Sequence, residues 1–404
     1  ATKGAALAYK ARIALWNGDY ATAATAAMAC MNLNVYQLHD NYRDLFTASW
    51  SNEWIFFYRG DVTLKRYYWA ASDVQNCISR LAGGWGGQKA PSYELVCAYP
   101  CTDGKPIDES PLYNPKDIFE NRDPRMAMTI VPFATAHNKS VLDGTYHPED
   151  YVWLGYEYSP DPTRTTVYRA SDGAQVSNTD SKARAEHASY DGFLFKKYID
   201  SRFLENNYGG APTTYPMLRY GDVLLMYAEA MIELNQCTQE VLDATINKLR
   251  ERAYAGAGLA YPQVVLGTQA AMRTILRTER FIELAWEGHR YADLLRWRLA
   301  ETVYNRPSYF LLRAWSGSAS WNGDEGSVSA EYRQLIQNWK DGNYPVGGVP
   351  DIDENGIADL SGMVDAGYIV VASERVFDAG RDYLWPVPDA DRMINDNLDQ
   401  NPNW

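Results

Sequence analysis

The feature that most constrains the fold is a pair of helical segments that recurs along the chain. Apolar residues follow helical spacing over residues 4–16, the sequence breaks at Asn17-Gly18-Asp19, and an Ala-rich helical pattern follows over residues 20–31. Small side chains in the second segment allow close approach to the first. This pattern predicts a helix hairpin of the tetratricopeptide type.

Helical spacing returns in the second half of the chain. It predicts a helix over residues 218–234, a partner helix over 241–253, and a third block from 269 to about 300. The expected fold class is therefore mostly α. The expected architecture is a tetratricopeptide-like scaffold of helix hairpins, an alpha superhelix, with long irregular loop regions and a few short strands.

The helical blocks alternate with segments rich in Gly, Pro, Tyr, Trp and Asp. This alternation divides the chain into four predicted regions. They are a helical-repeat hairpin at 1–60, an irregular aromatic-rich insertion with the predicted ligand-binding face at 61–215, a helical-repeat scaffold at 216–300, and an irregular C-terminal region that packs on the scaffold at 301–404.

Composition excludes some partners. The 404 residues contain 38 Lys and Arg against 51 Asp and Glu, and the net charge of −13 repels nucleic acid and anionic lipid headgroups. No stretch approaches the roughly 20 apolar residues of a membrane-spanning helix. The 30 Tyr and 13 Trp residues provide flat apolar surfaces with a polar edge, a surplus that needs a functional explanation.

Ordered motifs over nearly the whole chain resemble those of the SusD/RagB family of surface nutrient-binding lipoproteins. The helix at 216–230 is the most recognisable, although Gly221-Asp222 stands where Ala-Glu is usual. The last motif carries Asn403 where Gly is common. The matching segments are 1–15, 91–107, 216–230, 246–253, 279–297, 384–388 and 400–404.

The resemblance implies non-catalytic, cell-surface binding of an oligosaccharide or polysaccharide. Uptake would follow through a SusC-like TonB-dependent barrel, with no required cofactor. It also implies a surface-exposed position at the cell outer membrane, held by a lipid anchor in an N-terminal segment upstream of this chain. Two alternatives remain open, a tetratricopeptide-type protein-interaction module without a glycan ligand and a glycosidase.

Aromatic residues in the irregular regions are the candidate glycan platform. An aromatic face covers the C–H face of a sugar ring, while nearby polar groups bond its hydroxyls. The alternative is that these side chains fill the core beneath long loops. The candidates are Trp69, Trp85, Trp153, Tyr156, Tyr158, Trp315 and Trp321.

Three glutamates at 279, 283 and 287 recur every four residues and therefore share one face of a predicted helix. Arg280, Arg290 and Asp293 lie three or four residues from several of them, which favours an ion-paired surface or an inter-helix clamp. No spacing marks out a catalytic pair of carboxyl groups.

An acidic segment in the last region follows the calcium-loop template at several positions. Side-chain oxygens stand at positions 1, 3, 5 and 9, a backbone carbonyl at 7 and Gly at 6, but Gly362 occupies position 12, where a bidentate Glu is expected. The alternatives are a structural calcium ion and an acidic surface turn. The candidate ligands are Asp351, Asp353, Asn355, Ile357 and Asp359.

Overall fold

The computed structural model describes most of the chain. The described residues are 2–84, 89–115, 117–133, 141–142, 145–146, 155–160, 165–169, 171–180, 189, 192–199, 211, 213–310, 337, 349–366 and 369–404. Among them, no helix combines the length and the apolar character needed to cross a membrane.

Helices dominate the described residues. In chain order they are α1 Lys3–Trp16, α2 Tyr20–Met31, α3 Ala71–Gln75, α4 Tyr93–Ala98, α5 Arg125–Thr129, α6 Tyr220–Glu233, α7 Gln239–Ala244, α8 Ile246–Ala255, α9 Gln269–Glu283, α10 Arg290–Arg296, α11 Ala300–Tyr304, α12 Ser361–Asp365 and α13 Asp389–Ile394. A short 3-10 helix lies at Asp44–Phe46.

The described strands form two-stranded antiparallel ribbons. They pair β1 Trp54–Tyr58 with β6 Tyr215–Arg219, β2 Val141–Leu142 with β3 Thr145–Tyr146, β4 Thr166–Tyr168 with β5 Gln175–Ser177, β7 Ser308–Phe310 with β10 Val370–Ser373, and β8 Asp351–Ile352 with β9 Ala358–Asp359. The predicted fold class, mostly helical with a few short strands, is confirmed.

The predicted hairpin at the start of the chain is the α1–α2 pair. The Thr2 hydroxyl accepts a hydrogen bond from the backbone N–H of Ala5 at 3.1 Å, and Asp19 caps α2 through the N–H of Thr22 at 3.0 Å. Gly18 takes a positive φ of 72° in the turn between the helices. The buried faces of both helices consist mainly of alanine, so the two helices pack closely.

Helix α6 is the centre of the scaffold. It is buried around nearly its whole circumference, against α1, α2 and α9. The sequence predicted this helix from residue 218, but it begins at Tyr220. The preceding residues form β6, and the Tyr220 backbone N–H donates to the Glu53 carbonyl at 2.9 Å next to β1.

The two later helical blocks are more broken than predicted. The partner helix expected at 241–253 is two helices, α7 and α8, separated at Thr245, whose backbone is not helical. The block expected from 269 to about 300 stops at Glu283, because Trp286 and Gly288 take positive φ values of 59° and 80° before α10. The four region boundaries remain a prediction.

Candidate functional site

A layer of buried charges lies between the helices of the scaffold and strands β1 and β6. In the described part of the chain its larger group holds five carboxylates and five cations, so it is electrically neutral. The members are Glu53, Asp123, Glu279, Glu283 and Glu287 with Arg125, Lys197, Arg219, Arg250 and Arg252. We call this group the ionic layer.

A second, smaller group of three carboxylates and three arginines lies beside the ionic layer. Arg280 reaches Asp293 at 2.9 Å and Asp222 at 3.4 Å, and Arg12 reaches Asp222 at 2.6 Å. Arg296 binds the remaining carboxylate, that of Glu229. Charges that are buried together in balanced groups avoid the cost of an unpaired buried ion.

Glu283 shows why these carboxylates have no free face. Its Oε1 accepts a hydrogen bond from Arg219 at 2.8 Å and another from Arg252, and its Oε2 accepts one from Arg125 at 3.1 Å. Burial by itself raises the pKa of Glu283, but the guanidinium groups of Arg252, Arg219 and Arg125 outweigh it and hold that pKa well below its usual range.

The predicted clamp of Glu279, Glu283 and Glu287 is therefore present, but it is buried and not on the surface. The sequence-based choice of partners was wrong for Arg280 and Arg290. Arg280 binds Asp222 and Asp293 of the second group, and Arg290 makes no ion pair with any described residue. Its guanidinium lies 3.9 Å from the centroid of the Phe281 ring. The carboxylates instead bind cations from distant segments.

On the outer side of Glu53, strand β1 carries aromatic residues to the surface. Trp50 precedes the strand and is 62% exposed, and its ring centroid lies 5.8 Å from that of the half-buried Phe57. Tyr58 is exposed at the end of the strand and lies 5.9 Å from Tyr68. We call the surface formed by Trp50, Phe57, Tyr58, Tyr68 and Trp69 the aromatic face.

Tyr68 and Trp69 lie over the end of β6. The Tyr68 ring stacks on Tyr215 with centroids 3.9 Å apart and an interplanar angle of 2°. Trp69, one of the predicted platform residues, is half-buried and meets Trp286 at 5.4 Å. Its indole N–H is buried and has no hydrogen-bond partner among the described residues. Trp69 therefore packs beneath the aromatic face, and little of its ring is available to a ligand.

A small polar pocket lies at the Trp50 end of the aromatic face. It has a volume of about 210 Å³. We call it the Trp50 pocket; its walls are Gln37, Leu38, His39, Asp40, Trp50, Ser51 and Asn52.

Hydrogen bonds fix the walls of the Trp50 pocket. The His39 backbone N–H donates to Glu53 Oε2 at 2.8 Å, which ties the wall to the ionic layer. His39 Nδ1 lies 3.1 Å from the Ser51 hydroxyl, and the Trp50 indole N–H donates to Asn52 at 3.3 Å. Sequence reasoning missed this pocket, although Trp50 between two serines resembles the predicted Trp residues that have small neighbours.

The other predicted platform residues differ in where the structure places them. Tyr158 is 1% exposed, and its hydroxyl donates to the Gly192 carbonyl at 2.8 Å. Its ring lies in the core 5.8 Å from Phe133, so placing it on a sugar platform was wrong. Tyr156 is half-buried and pairs through its backbone with Arg169. Trp85, Trp153, Trp315 and Trp321 lie outside the described residues.

The predicted calcium segment forms the β8–β9 hairpin. Asp353 Oδ1 accepts two backbone N–H groups of the same turn, at 2.9 and 3.0 Å, and Asn355 accepts a hydrogen bond from Arg277 at 2.6 Å. Asp359 accepts the N–H at the start of α12 at 2.9 Å. The side chain of Ile357 is buried and Asp351 is exposed.

Protein donors already occupy side-chain oxygens of Asp353, Asn355 and Asp359, an arrangement that does not favour a calcium cage. Within the described residues, no cluster of three or more His, Cys, Asp or Glu side chains could hold a metal ion. The same observation favours an acidic surface turn at this hairpin. Calcium binding here stays a prediction.

A larger cavity of about 720 Å³ lies in the C-terminal region, with Tyr291, Tyr304, Trp385 and Trp404 in its walls. Its charged groups are already engaged. Arg375 binds three backbone carbonyls and Glu94, and Asp382 pairs with Arg381. This cavity offers apolar surface but few free polar groups.

Comparison with known proteins identifies the family of this chain. A model of the SusD family matches residues 52–404. SusD-like protein P2 of Formosa agariphila is 35% identical over 113 residues, which are 28% of this chain and 22% of that protein.

Solved structures agree with the family match. A SusD-like carbohydrate-binding protein of Bacteroides fragilis shares 28% identity with a TM-score of 0.69, over 99% of this chain and 65% of that one. A second SusD-like protein of Bacteroides fragilis, 22% identical with a TM-score of 0.61, shares the fold over 100% of this chain and 66% of that one. The chain therefore spans less than two thirds of these relatives.

Proposed function

Because this chain belongs to the SusD family, we propose that it binds an oligosaccharide or polysaccharide at the cell surface without hydrolysing it. The bound glycan is then taken up through a SusC-like TonB-dependent transporter. The protein sits at the outer membrane on a lipid anchor that lies outside this chain. Nucleic acid is not a partner, in keeping with the net charge of −13.

The observation that carries this proposal is that exposed aromatic rings lie beside polar side chains that have no hydrogen-bond partner among the described residues, both at the aromatic face. Trp50, Tyr58 and Tyr68 expose their rings along the β1 ribbon, and Gln37 and Asp40 stand beside Trp50. An aromatic ring binds the C–H face of a sugar, and amide and carboxylate groups bind its hydroxyls. The carbohydrate-binding description of the similar Bacteroides fragilis protein adds support.

The ionic layer supports a non-catalytic reading. Hydrolysis of a glycosidic bond needs two carboxyl groups that face each other across the sugar, one of them with a raised pKa. The buried glutamates at 279, 283 and 287 are ion-paired inside the protein. Among the described residues that line the Trp50 pocket, Asp40 alone carries a carboxylate.

A protein-interaction role is the second candidate, and an exposed apolar surface in the C-terminal region favours it. Trp385 is 70% exposed, and Val376, Met393 and Ile394 are more exposed still. Apolar surface of this kind is typical of protein contacts. Pull-down of the transporter by the wild type but not by a Trp385→Ala, Ile394→Ala variant would support this role, which does not exclude glycan binding.

Affinity gel electrophoresis on a panel of neutral and acidic polysaccharides tests the proposed function. We expect at least one polysaccharide to retard the wild type. A Tyr58→Ala, Tyr68→Ala variant should migrate faster on the same gel, because two exposed rings of the aromatic face are lost. Product analysis of the same mixtures should show no shortened sugar.

Trp385→Ala is the control, since it removes an aromatic ring that is more exposed than Tyr58 or Tyr68 and lies far along the chain from β1. It should migrate like the wild type on the glycan gel. Retardation that is unchanged in the Tyr58, Tyr68 variant would contradict the assignment of the aromatic face. Release of shortened sugars would contradict the non-catalytic reading.

A further inference from the structure

We propose that the Trp50 pocket is a subsite for a single uncharged sugar ring, and that Asp40 makes it select neutral over anionic glycans. This inference rests on the proposed function and names the class of sugar that the aromatic face takes. Four properties of the pocket support it: its size, its aromatic wall, its unengaged polar groups and its charge.

The size of the pocket limits the occupant to a small group. Pockets for drug-sized ligands span roughly 300–1,000 Å³. The Trp50 pocket, at about 210 Å³, lies below this range and opens beside the aromatic face. One sugar ring fits such a volume.

The aromatic wall leaves a ring face available. Trp54 and Phe57 meet the Trp50 indole at interplanar angles of 74° and 82°, so both contacts are edge to face. No described ring stacks parallel on Trp50. Its indole N–H is directed to Asn52, which holds the ring in place beside the pocket. A sugar stacks on an indole fixed in this way with little loss of side-chain entropy.

The polar walls divide into groups that hold the pocket and groups that are free to bind. His39 is held by Ser51 and, through its backbone N–H, by the buried carboxylate of Glu53. Gln37 and Asp40 line the pocket and make no side-chain hydrogen bond or ion pair with any described residue. Adjacent sugar hydroxyls can donate two hydrogen bonds to one carboxylate, and bonds to a charged acceptor are the strong ones.

The charge of the pocket sets its selectivity. Asp40 carries a carboxylate, and no Lys or Arg is among the described residues that line the Trp50 pocket. A uronate or a sulfated sugar would place a second negative charge beside Asp40, and like charges at close range repel. A neutral sugar carries no such penalty and gains the bonds to the carboxylate.

Isothermal titration calorimetry with matched oligosaccharides tests this proposal. The neutral ligands are cellohexaose, maltohexaose, mannohexaose and xylohexaose, and the anionic ligands are hexagalacturonate and a sulfated carrageenan oligosaccharide. We expect the wild type to bind a neutral ligand at least about tenfold more tightly than either anionic one. Trp50→Ala should weaken neutral binding by roughly tenfold or more.

Asp40→Asn is the diagnostic variant. It keeps the shape of the side chain but removes the charge, so neutral binding should weaken by roughly tenfold or less while anionic binding improves. The ratio of neutral to anionic affinity should fall by about tenfold. Asp399→Asn, an exposed change in the C-terminal region, is the matched control and should leave this ratio unchanged. Both site residues are exposed, so circular dichroism should show a folded protein in every case.

The outcomes separate this inference from the proposed function. If no neutral or anionic glycan binds the wild type, the proposed function fails and the subsite fails with it. If glycan binding persists in Trp50→Ala and Asp40→Asn but is lost in the Tyr58, Tyr68 variant, the glycan function stands and the subsite is wrong. Tighter wild-type binding of the anionic ligands would also overturn the selectivity.

Discussion

Glu53 connects the ionic layer to the Trp50 pocket, but the charged side chains of the two regions differ in whether they have a protein partner. On the inner side, Glu53 binds Arg219 at 2.7 Å, within a layer where every carboxylate has a cation. On the outer side, the same residue accepts the His39 N–H, beside an Asp40 carboxylate that has no described partner. The difference indicates that charged side chains paired inside the protein stabilise the scaffold, whereas a charged side chain without a protein partner is available to bind a ligand at the surface.

The strongest way to break this comparison is to remove the central carboxylate of the ionic layer. Glu283→Ala removes a carboxylate that Arg125, Arg219 and Arg252 all bind, and leaves the ionic layer with an excess positive charge inside the protein. We expect a loss of roughly 3–5 kcal/mol in the free energy of unfolding, measured by urea denaturation at pH 7. Asp389→Ala, which breaks an exposed pair with Arg392, should cause no measurable change. A loss below about 1 kcal/mol would contradict a structural role for the layer.

The pH dependence of the free energy of unfolding tests Lys197, a buried cation of the ionic layer. Burial lowers the pKa of Lys197 to about 8, despite its contacts with Glu287 and the Tyr42 hydroxyl. The unfolded lysine has a pKa near 10.4, so between about pH 8 and 10 the unfolded chain binds more protons than the folded one. Stability from this group therefore rises with pH across that window, by up to about 1.4 kcal/mol per pH unit.

The variant that isolates this effect is Lys197→Met, compared with the wild type by urea denaturation at several pH values. The wild type should gain stability relative to the variant as the pH rises from 8 to 10. Lys89→Met, which removes an exposed lysine, should show no such trend. A parallel pair of stability curves for wild type and Lys197→Met would exclude a depressed pKa.

The aromatic residues provide a smaller test of buried against exposed positions. Tyr158→Phe removes the hydroxyl that donates to Gly192 and should cost about 1 kcal/mol of stability, measured by thermal unfolding. Glycan binding should be unchanged, because the ring has no solvent-exposed face. A weaker glycan affinity in this variant would indicate that Tyr158 contributes to glycan binding and would contradict its assignment to the core.

The smallest expected effect concerns calcium at the β8–β9 hairpin. The engaged oxygens of Asp353 and Asn355 favour no calcium-dependent change in Tm. Even calcium at a concentration equal to its Kd would add only about 0.4 kcal/mol. Titration calorimetry after chelation tests this expectation. A heat of binding at millimolar calcium that disappears in Asp353→Asn would contradict this expectation and support the calcium loop that the sequence predicts.

Several features of the scaffold could be predicted from the sequence because they depend on neighbours along the chain. Spacing of apolar residues gave α1 and α2 within a residue of their observed ends. The ordered motifs, whose family resemblance the match over residues 52–404 confirms, depend only on residue order. The breaks at Thr245 and Trp286 escaped prediction because backbone conformation there is set by packing.

The candidate site was less predictable. Trp69 was identified, but Trp50, Gln37 and Asp40 were not, because the segments that form the Trp50 pocket are separated by the 3-10 helix at Asp44–Phe46. Tyr158 was misplaced because a loop-like sequence does not reveal which of its rings the core encloses. Burial is a property of the folded chain.

The sequence by itself determined the helix-hairpin scaffold, the family and the shared face of Glu279 and Glu283, since each follows from local spacing or residue order. Only the tertiary structure decided which charges meet. Arg125 and Glu283 are 158 residues apart, and no periodic rule links positions at that distance. Folding brings them into one buried, water-poor layer where pairing is obligatory, and leaves Asp40 in solvent where it is free to bind.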